Sequence, residues 1–273
     1  MIRFALAFAL LAGLAACSTG DEEADPFAGR SAVSIYREGE AQLNDGDPVQ
    51  AAETFEELER IHPYSEWSRR AMIMAAFGFY QGQEFDRAIS AAQRYIDFFP
   101  ADPDAAWAQY LIGMSHYDRI MDVERDQGAT RRALQELEEV VRRYPQSDYA
   151  REASLKIDLA RDQLAGKEML IGRYYLGQGN YVAAINRFKS VLSLYQTTSH
   201  APEALHRLVE AYLSLGIERE ARTAAAVLGH NFPGSPWYEA SYALMQGADT
   251  APFEDPESWI SRAFRRVTTG ETL

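Results

Sequence analysis

The stretch KEMLIGRYYLGQGNYVAAINRFKSVLSLYQ, from Lys167 to Gln196, decides the fold. Gly172 is a small residue inside a helical pattern, and Gly179 stands where the chain must turn. Ala184 and Phe188 follow, one helical turn apart, on the returning segment. A glycine lets two helices approach closely, and the alanine and phenylalanine fill the seam between them. The stretch therefore predicts two antiparallel helices joined by a tight turn.

The same unit recurs along the chain when the central alanine of its second helix is used as an anchor. The anchors are Ala51, Ala88, Ala133, Ala184 and Ala221. Twelve positions after the anchor, four of the five units have a proline, which ends a helix because it lacks a backbone N–H. These prolines are Pro63, Pro100, Pro145 and Pro233. The regularity is typical of the tetratricopeptide repeat (TPR), and we predict an all-α solenoid of five TPR helix pairs.

Two departures from the repeat spacing predict an insertion and a long helix. Gly113 and Ala133 are 20 positions apart, whereas Gly172 and Ala184 are 12 apart, so the eight extra residues lie within 118–128. Residues 148–177 contain no proline and keep apolar or small residues at the helical period. We therefore predict one long connecting helix between repeats 3 and 4.

This pattern divides the chain into segments. Residues 31–147 hold TPR repeats 1–3, and residues 148–245 hold the long helix and repeats 4–5. Residues 246–273 form a C-terminal tail with a short helix that is capped at Asp255-Pro256, runs through Phe264 and shields the end of the solenoid.

Composition limits the classes of function. The chain has 273 residues, 47% of them apolar, and a formal net charge of −13. Nucleic-acid binding draws on clustered cations that neutralise phosphates, so an acidic chain without a Lys/Arg-rich face is a poor candidate for it. We predict no nucleic-acid partner.

The N-terminus has the form of a signal peptide over residues 1–16, with one cation followed by a run of Phe, Ala and Leu. Leu14-Ala15-Ala16-Cys17 resembles a bacterial lipobox, which implies cleavage before Cys17 and lipidation of its thiol and amino group. Several acyl chains give stable membrane anchoring, at roughly 0.8 kcal/mol per buried methylene. Residues 17–30 are the lipidated cysteine and a flexible tether. In the sorting rule implied by the lipobox, Ser18 favours the periplasmic face of the outer membrane over the inner membrane.

The search for chemistry finds no catalytic, cofactor or metal motif. The five histidines include no pair at i, i+4 and no HExxH, and Cys17 is the only cysteine. Nucleotide-binding and acyl-transfer signatures are also missing from the sequence. We predict a protein that is not an enzyme and has no cofactor.

The repeats, the lipobox and two quoted stretches together resemble the BamD family. The stretches are YLIGMSHYDRIMDVERDQGATRRALQELEEVVRRYPQSDYA at Tyr110 to Ala150 and KEMLIGRYYLGQGNYVAAINRF at Lys167 to Phe188. The resemblance implies a scaffold lipoprotein of the outer-membrane β-barrel assembly machinery. Its implied partners are the POTRA domains of the barrel protein BamA, other lipoproteins of the complex, and peptides of unfolded outer-membrane proteins.

Two other functions stay open at this stage. One is a different outer-membrane TPR adaptor, such as a pilotin-like lipoprotein for pilus or secretin assembly, although this would leave the insertion and the long helix unexplained. The other is a cell-wall enzyme or its binding subunit, which the missing catalytic motifs disfavour.

Three arginines are the candidate contacts for a BamA carboxylate: Arg173, Arg187 and Arg207. They lie in repeats 4 and 5 of an otherwise acidic chain. They are equally compatible with solvated helix positions that bind nothing.

An aromatic and methionine-rich set in repeats 1 and 2 is the candidate peptide groove. Its members are Tyr36, Trp67, Met72, Phe79 and Tyr80. The first helices of stacked TPR units form the concave wall, and flat rings there suit an extended peptide with an aromatic end. Each residue is individually compatible with a place in the core instead.

Overall fold

The computed structural model describes residues 26–248 and 250–269, and of residues 266–269 only the backbone. The described residues form helices and turns without a β-strand. The helices are α1 Ala32–Asp45, α2 Pro48–Ile61, α3 Glu66–Gln81, α4 Phe85–Phe98, α5 Ala105–Tyr117, α6 Gly128–Arg143, α7 Asp148–Gly177, α8 Tyr181–Leu194, α9 Ala201–Ser214, α10 Glu218–Asn231, α11 Pro236–Gly247 and α12 Trp259–Thr269. The predicted signal peptide and Cys17 lie outside the described residues.

The helices stack as a solenoid with an inner and an outer layer. From α1 to α11, consecutive helices pack against each other, and each odd-numbered helix also contacts the next odd-numbered one. The odd-numbered helices therefore form one continuous wall, which is the helix A layer of a TPR array. The predicted all-α solenoid is confirmed.

Close approach at a small residue joins the two helices of a pair. A Cβ atom built on Gly172 would lie 2.4 Å from a ring carbon of Phe188, and one on Gly39 would lie 2.6 Å from the ring of Phe55. Gly113 meets Leu137 in the same way, at 2.7 Å. A side chain at these positions would push the helices apart. The predicted roles of Gly172 and Phe188 are confirmed.

The junctions between repeats are built from a proline and a capping serine. Ser65, Ser147 and Ser235 precede α3, α7 and α11, and each hydroxyl oxygen accepts a hydrogen bond from a backbone N–H of the first turn. A cap of this kind contributes about 1 kcal/mol to helix stability. These caps fix where each new helix A begins.

The insertion and the long helix are both observed where they were predicted. Residues 118–127 separate α5 from α6, and α7 is a single helix of 30 residues. The insertion packs on the middle of α7: Gln163 Nε2 donates to the Met121 carbonyl at 3.0 Å, and Lys167 Nζ donates to the Glu124 carbonyl at 2.7 Å. The insertion therefore braces α7 at its midpoint.

The C-terminal helix differs from its prediction in position. It begins at Trp259, because the Ser258 hydroxyl accepts from the N–H of Ile260. Asp255 accepts from the N–H of Glu257 at 3.0 Å, which caps the turn before the helix, and from the Arg219 guanidinium at 2.7 Å. Helix α12 packs against α8 and α10. The predicted helix start at Pro256 is therefore wrong, while the predicted shielding of the end of the solenoid stays a prediction.

Candidate functional site

The arginines predicted in repeats 4 and 5 are all engaged in ion pairs. Arg173 donates to Glu203 at 3.0 Å, and Arg207 donates to the other oxygen of Glu203 at 3.3 Å and to Glu210 at 2.7 Å. Glu203 thus brings two of the predicted residues together. Arg207 is the least accessible of the three and lies over the Trp237 ring at 5.2 Å. None of the three is an unpaired cation awaiting a carboxylate.

Arg187 stands apart from the other two. Its guanidinium donates to Glu168 at 3.2 Å, across the seam between α8 and α7. The side chain remains partly exposed beside a small depression that Tyr175 and Asn186 also line. Its place at the edge of the helix A/helix B groove agrees with its position before Phe188.

Buried positions of α9 add residues that sequence reasoning missed. His206 Nδ1 lies 2.9 Å from the Ser241 hydroxyl, and its ring stacks on Trp237 at 5.1 Å. Burial lowers the pKa of His206, because the charged imidazolium is poorly solvated there. An isolated histidine in the sequence gave no signal of this packing.

Three residues of the predicted peptide groove belong to the core. Phe79, Met72 and Tyr36 are 0%, 5% and 8% exposed. The Tyr36 ring packs on Phe55 at 5.3 Å, and the Phe79 ring is covered by the Arg87 guanidinium at 3.9 Å. Helix A residues that face their own helix B cannot also face the groove. The placement of Tyr36, Met72 and Phe79 on an open wall is therefore wrong.

The other two predicted groove residues are partly exposed. The Trp67 ring packs on Tyr36 at 4.9 Å, with Arg70 over its face at 5.3 Å. The Tyr80 hydroxyl donates to Asp118 at 2.6 Å. Burial and this bond raise the pKa of Tyr80 above its ordinary value. Tyr80 therefore presents a neutral phenol that is already tied to the insertion.

The apolar surface of the N-terminal half lies on a neighbouring face of the same helices. Leu43, Met74 and Phe77 line a cavity of about 740 Å³ between α1 and α3. The Phe77 ring continues this surface to Trp107 of α5, at 5.5 Å. Met74 and Phe77 are three residues apart and share one helical face, but Met72 and Phe79 share another face of the same helix, so spacing alone did not distinguish wall from core.

Further along the wall, aromatic hydroxyls and carboxylates alternate. The Tyr110 ring stacks on Tyr149 at 5.4 Å. Burial and a hydrogen bond to Glu152 raise the pKa of Tyr110 to about 12. The wall thus joins apolar rings to polar groups.

No group of three or more His, Cys, Asp or Glu side chains among the described residues has the geometry to hold a metal ion. No helix in the same part of the chain is both long and apolar enough to cross a bilayer.

Stacked helix pairs with one apolar wall and one ion-paired end define a helical-repeat scaffold, the class of protein that binds other proteins along its inner surface. The model of a family described as "YfiO: Outer membrane lipoprotein" matches residues 29–228, and the chain belongs to this family.

Three relatives carry the name "Outer membrane protein assembly factor BamD". The protein of Caulobacter vibrioides is 49% identical over 81% of this chain and 73% of its own length. That of Rickettsia prowazekii is 42% identical over 78% and 85% of the two chains. That of Neisseria meningitidis serogroup A is 32% identical over 87% and 94%.

Solved structures of TPR proteins are more distant. A thermophilic TPR protein of Thermus thermophilus has a TM-score of 0.37 and 19% identity, over 78% of this chain and 98% of its own. The type IV pilus biogenesis factor PilW has a TM-score of 0.25 and 14% identity, over 78% of this chain and 99% of its own.

Proposed function

We propose that this chain is a non-enzymatic scaffold that takes part in the assembly and insertion of β-barrel proteins of the outer membrane. The observation that carries the proposal is the similarity to three proteins named as outer membrane protein assembly factors, each over at least 78% of this chain. The repeat scaffold supports it, because its inner wall offers binding surface without catalytic groups.

The proposed location is the periplasmic face of the outer membrane, with lipidated Cys17 as the anchor. The lipobox at residues 14–17 and the description of the family as outer membrane lipoproteins support this location. Residues 18–30 would then act as a spacer between the bilayer and α1. The proposed partners include the membrane itself through the acyl chains.

BamA is the proposed main partner, and its POTRA domains would contact the C-terminal half. Arg173 and Arg187 support this because they combine partial exposure with ion pairs that are not buried. Exposed ion pairs contribute only about 0–1 kcal/mol. A POTRA carboxylate would therefore replace Glu203 or Glu168 at little cost. Arg207, which is held by two carboxylates, would help by orienting Glu203. Other lipoproteins of the complex are further proposed partners.

Unfolded outer-membrane proteins are the proposed substrate, bound as extended peptides on the N-terminal wall. The surface that supports this consists of Leu43, Met74, Phe77 and the partly exposed rings of Trp67 and Tyr80. An aromatic residue at the end of such a peptide would pack against these side chains. Micromolar or weaker binding is expected, because an unfolded chain loses conformational freedom on docking.

Co-purification tests the proposal. The full-length chain with a C-terminal tag is extracted from its membranes in a mild detergent, and the proteins recovered with it are identified. We expect BamA, and we expect depletion of the chain to reduce the amount of folded β-barrel protein in the outer membrane. Recovery of secretin or pilus components without BamA would instead support the pilotin-like alternative.

A variant of Cys17 tests the anchor separately. Cys17→Ser removes the acylated thiol and should leave the chain folded, since Cys17 lies outside the described helical repeats. We expect it to leave the outer-membrane fraction after a high-salt wash. A variant that stays in that fraction would contradict lipid anchoring and leave the scaffold proposal intact.

A further inference from the structure

The first half of α7 has the register of a helix A. The segments Ser65-Glu66-Trp67 and Ser147-Asp148-Tyr149 begin α3 and α7 in the same way, with serine as the cap. Counting from these caps, Leu155 is the counterpart of Ile73, and Leu159 is the counterpart of Phe77. The two helices can therefore be compared position by position.

Counterpart residues have opposite environments. Ile73 is 3% exposed and shares a core cluster with side chains of α4 and α5, while Leu155 is 68% exposed. Phe77 packs on Trp107 of the next helix A, while Leu159 is 57% exposed. The cause is topological, because α3 turns into its own helix B and α7 continues straight into repeat 4. The first half of α7 is therefore a helix A whose positions 155 and 159 lack the neighbouring helices that cover Ile73 and Phe77 in α3.

The insertion at residues 118–127 covers α7 only beyond its exposed leucines. It reaches α7 at Gln163 and Lys167, about one turn beyond Leu159. Met121, at the tip of that contact, is itself half-exposed. We define the α7 face as Leu155, Asp158, Leu159 and the adjoining Met121. Leu155 and Leu159 belong to none of the apolar clusters formed by the described residues.

The charges around the α7 face are mostly negative. On the same side of the helix stand four carboxylates and one guanidinium: Asp148, Glu152, Asp158, Asp162 and Arg151. Arg151 pairs with Asp148, whereas Asp158 forms no ion pair with a described residue. A second copy of this chain would bring the same carboxylates face to face, which is repulsive. The charge favours a cationic occupant instead.

We propose that the α7 face binds an amphipathic α-helix of another protein, which takes the place of a missing neighbouring helix. The helices that fill this place elsewhere in the chain indicate the chemistry. Both α4 and α8 bury alanine and one aromatic residue in the core between helices: Ala88 and Tyr95 in α4, and Ala184 and Phe188 in α8. The bound helix therefore carries small and aliphatic or aromatic residues on one side, with Lys or Arg beside them to meet Asp158.

Site-specific photo-crosslinking tests the proposal in membranes of cells that produce the full-length chain. Benzoylphenylalanine replaces Leu155 or Leu159, and the crosslinked segment is sequenced by mass spectrometry. The matched control is Leu194 on α8, which is exposed to the same degree, at 65%. We expect adducts from positions 155 and 159 above the control level, and we expect the captured segment to be a basic amphipathic helix.

A charge reversal at Asp158 provides an independent test. Asp158→Lys changes an exposed residue without an ion pair, so the fold should persist, as circular dichroism checks. It should lower the yield of the Leu155 adduct about threefold or more, because a salt bridge becomes a repulsion. An adduct with a second copy of this chain, an adduct with an extended segment, or no adduct above the Leu194 control would each overturn the proposal. Recovery of BamA with the unmodified chain is measured separately and does not depend on this result.

Discussion

The N-terminal half, α1 to α6, and the C-terminal half, from the second part of α7 to α11, share one repeat geometry and differ in what they present. Each half has its own large apolar core, and a small cluster formed by Leu137, Val140, Ala153 and Ile157 lies between them. The N-terminal half has apolar rings on its inner wall and arginine–glutamate pairs between its helices B, α2 and α4, whereas the C-terminal half has an arginine–glutamate pair between its helices A, α7 and α9. The seam residues set the backbone, and the outward residues are free to specify different partners.

The largest expected effect comes from the seam, where the two halves should behave alike. Phe55→Ala and Phe188→Ala each remove a ring with no exposed surface that fills the space beside a glycine. Each should lower the free energy of unfolding by about 3–5 kcal/mol, measured by urea denaturation. Phe98→Ala, at an exposed position, is the control and should have little effect. A much larger loss of stability in one half would show that the seams of the two halves are not equivalent.

Charge reversal should separate the halves. Arg187→Glu should reduce BamA recovery about tenfold, equivalent to roughly 1.4 kcal/mol. Arg94→Glu is the matched control in the N-terminal half, because Arg94 is similarly exposed and also pairs with glutamates. Arg151→Glu is a second control, at a highly exposed position. Equal recovery from all three variants would remove the assignment of BamA to the C-terminal half.

A substitution on the apolar inner wall tests peptide binding by the N-terminal half. Phe77→Ala should weaken the binding of a labelled peptide that ends in phenylalanine about tenfold, or roughly 1.4 kcal/mol, since the ring offers its contact area on the inner wall. Fluorescence titration of the full-length chain in detergent measures it. Phe98→Ala keeps the change in residue type but lies on a helix B. A peptide in which alanine replaces the terminal phenylalanine should bind the wild-type chain as weakly as Phe77→Ala binds the original.

The smallest expected effect is a dependence of stability on pH that both halves share. Burial is the main cause that lowers the pKa of His116 in the N-terminal half and of His206 in the C-terminal half. The unfolded chain takes up protons near pH 6.5 that the folded chain binds more weakly, so stability is full above that pH and falls as the pH decreases through it. The thermal midpoint should therefore be lower at about pH 5.5 than at about pH 7.5. His116→Asn and His206→Asn should each reduce this difference, and an unchanged difference would assign the effect to other groups.

Sequence reasoning succeeded where one local pattern determines the structure. The bounds of α7 follow from Ser147 as a cap and from an unbroken helical period, and the insertion follows from a spacing count. It failed where two neighbours compete for one helix. Periodicity places Met72 and Met74 on α3, but only the position of α4 decides that Met72 is buried and Met74 faces the cavity. The ion pairs of Arg173 and Arg187 could not be predicted from the sequence either, because their glutamates lie 30 and 19 residues away.

The single continuous helix α7 fixes the distance between the two halves of the scaffold. Thirty residues of α-helix span about 45 Å, and no proline or glycine turn interrupts them. A partner with two attachment points that match the spacing between the halves would gain a high effective concentration at the second point once the first is bound. A partner with a different spacing would gain nothing. Length alone would then discriminate between partners that carry the same side chains.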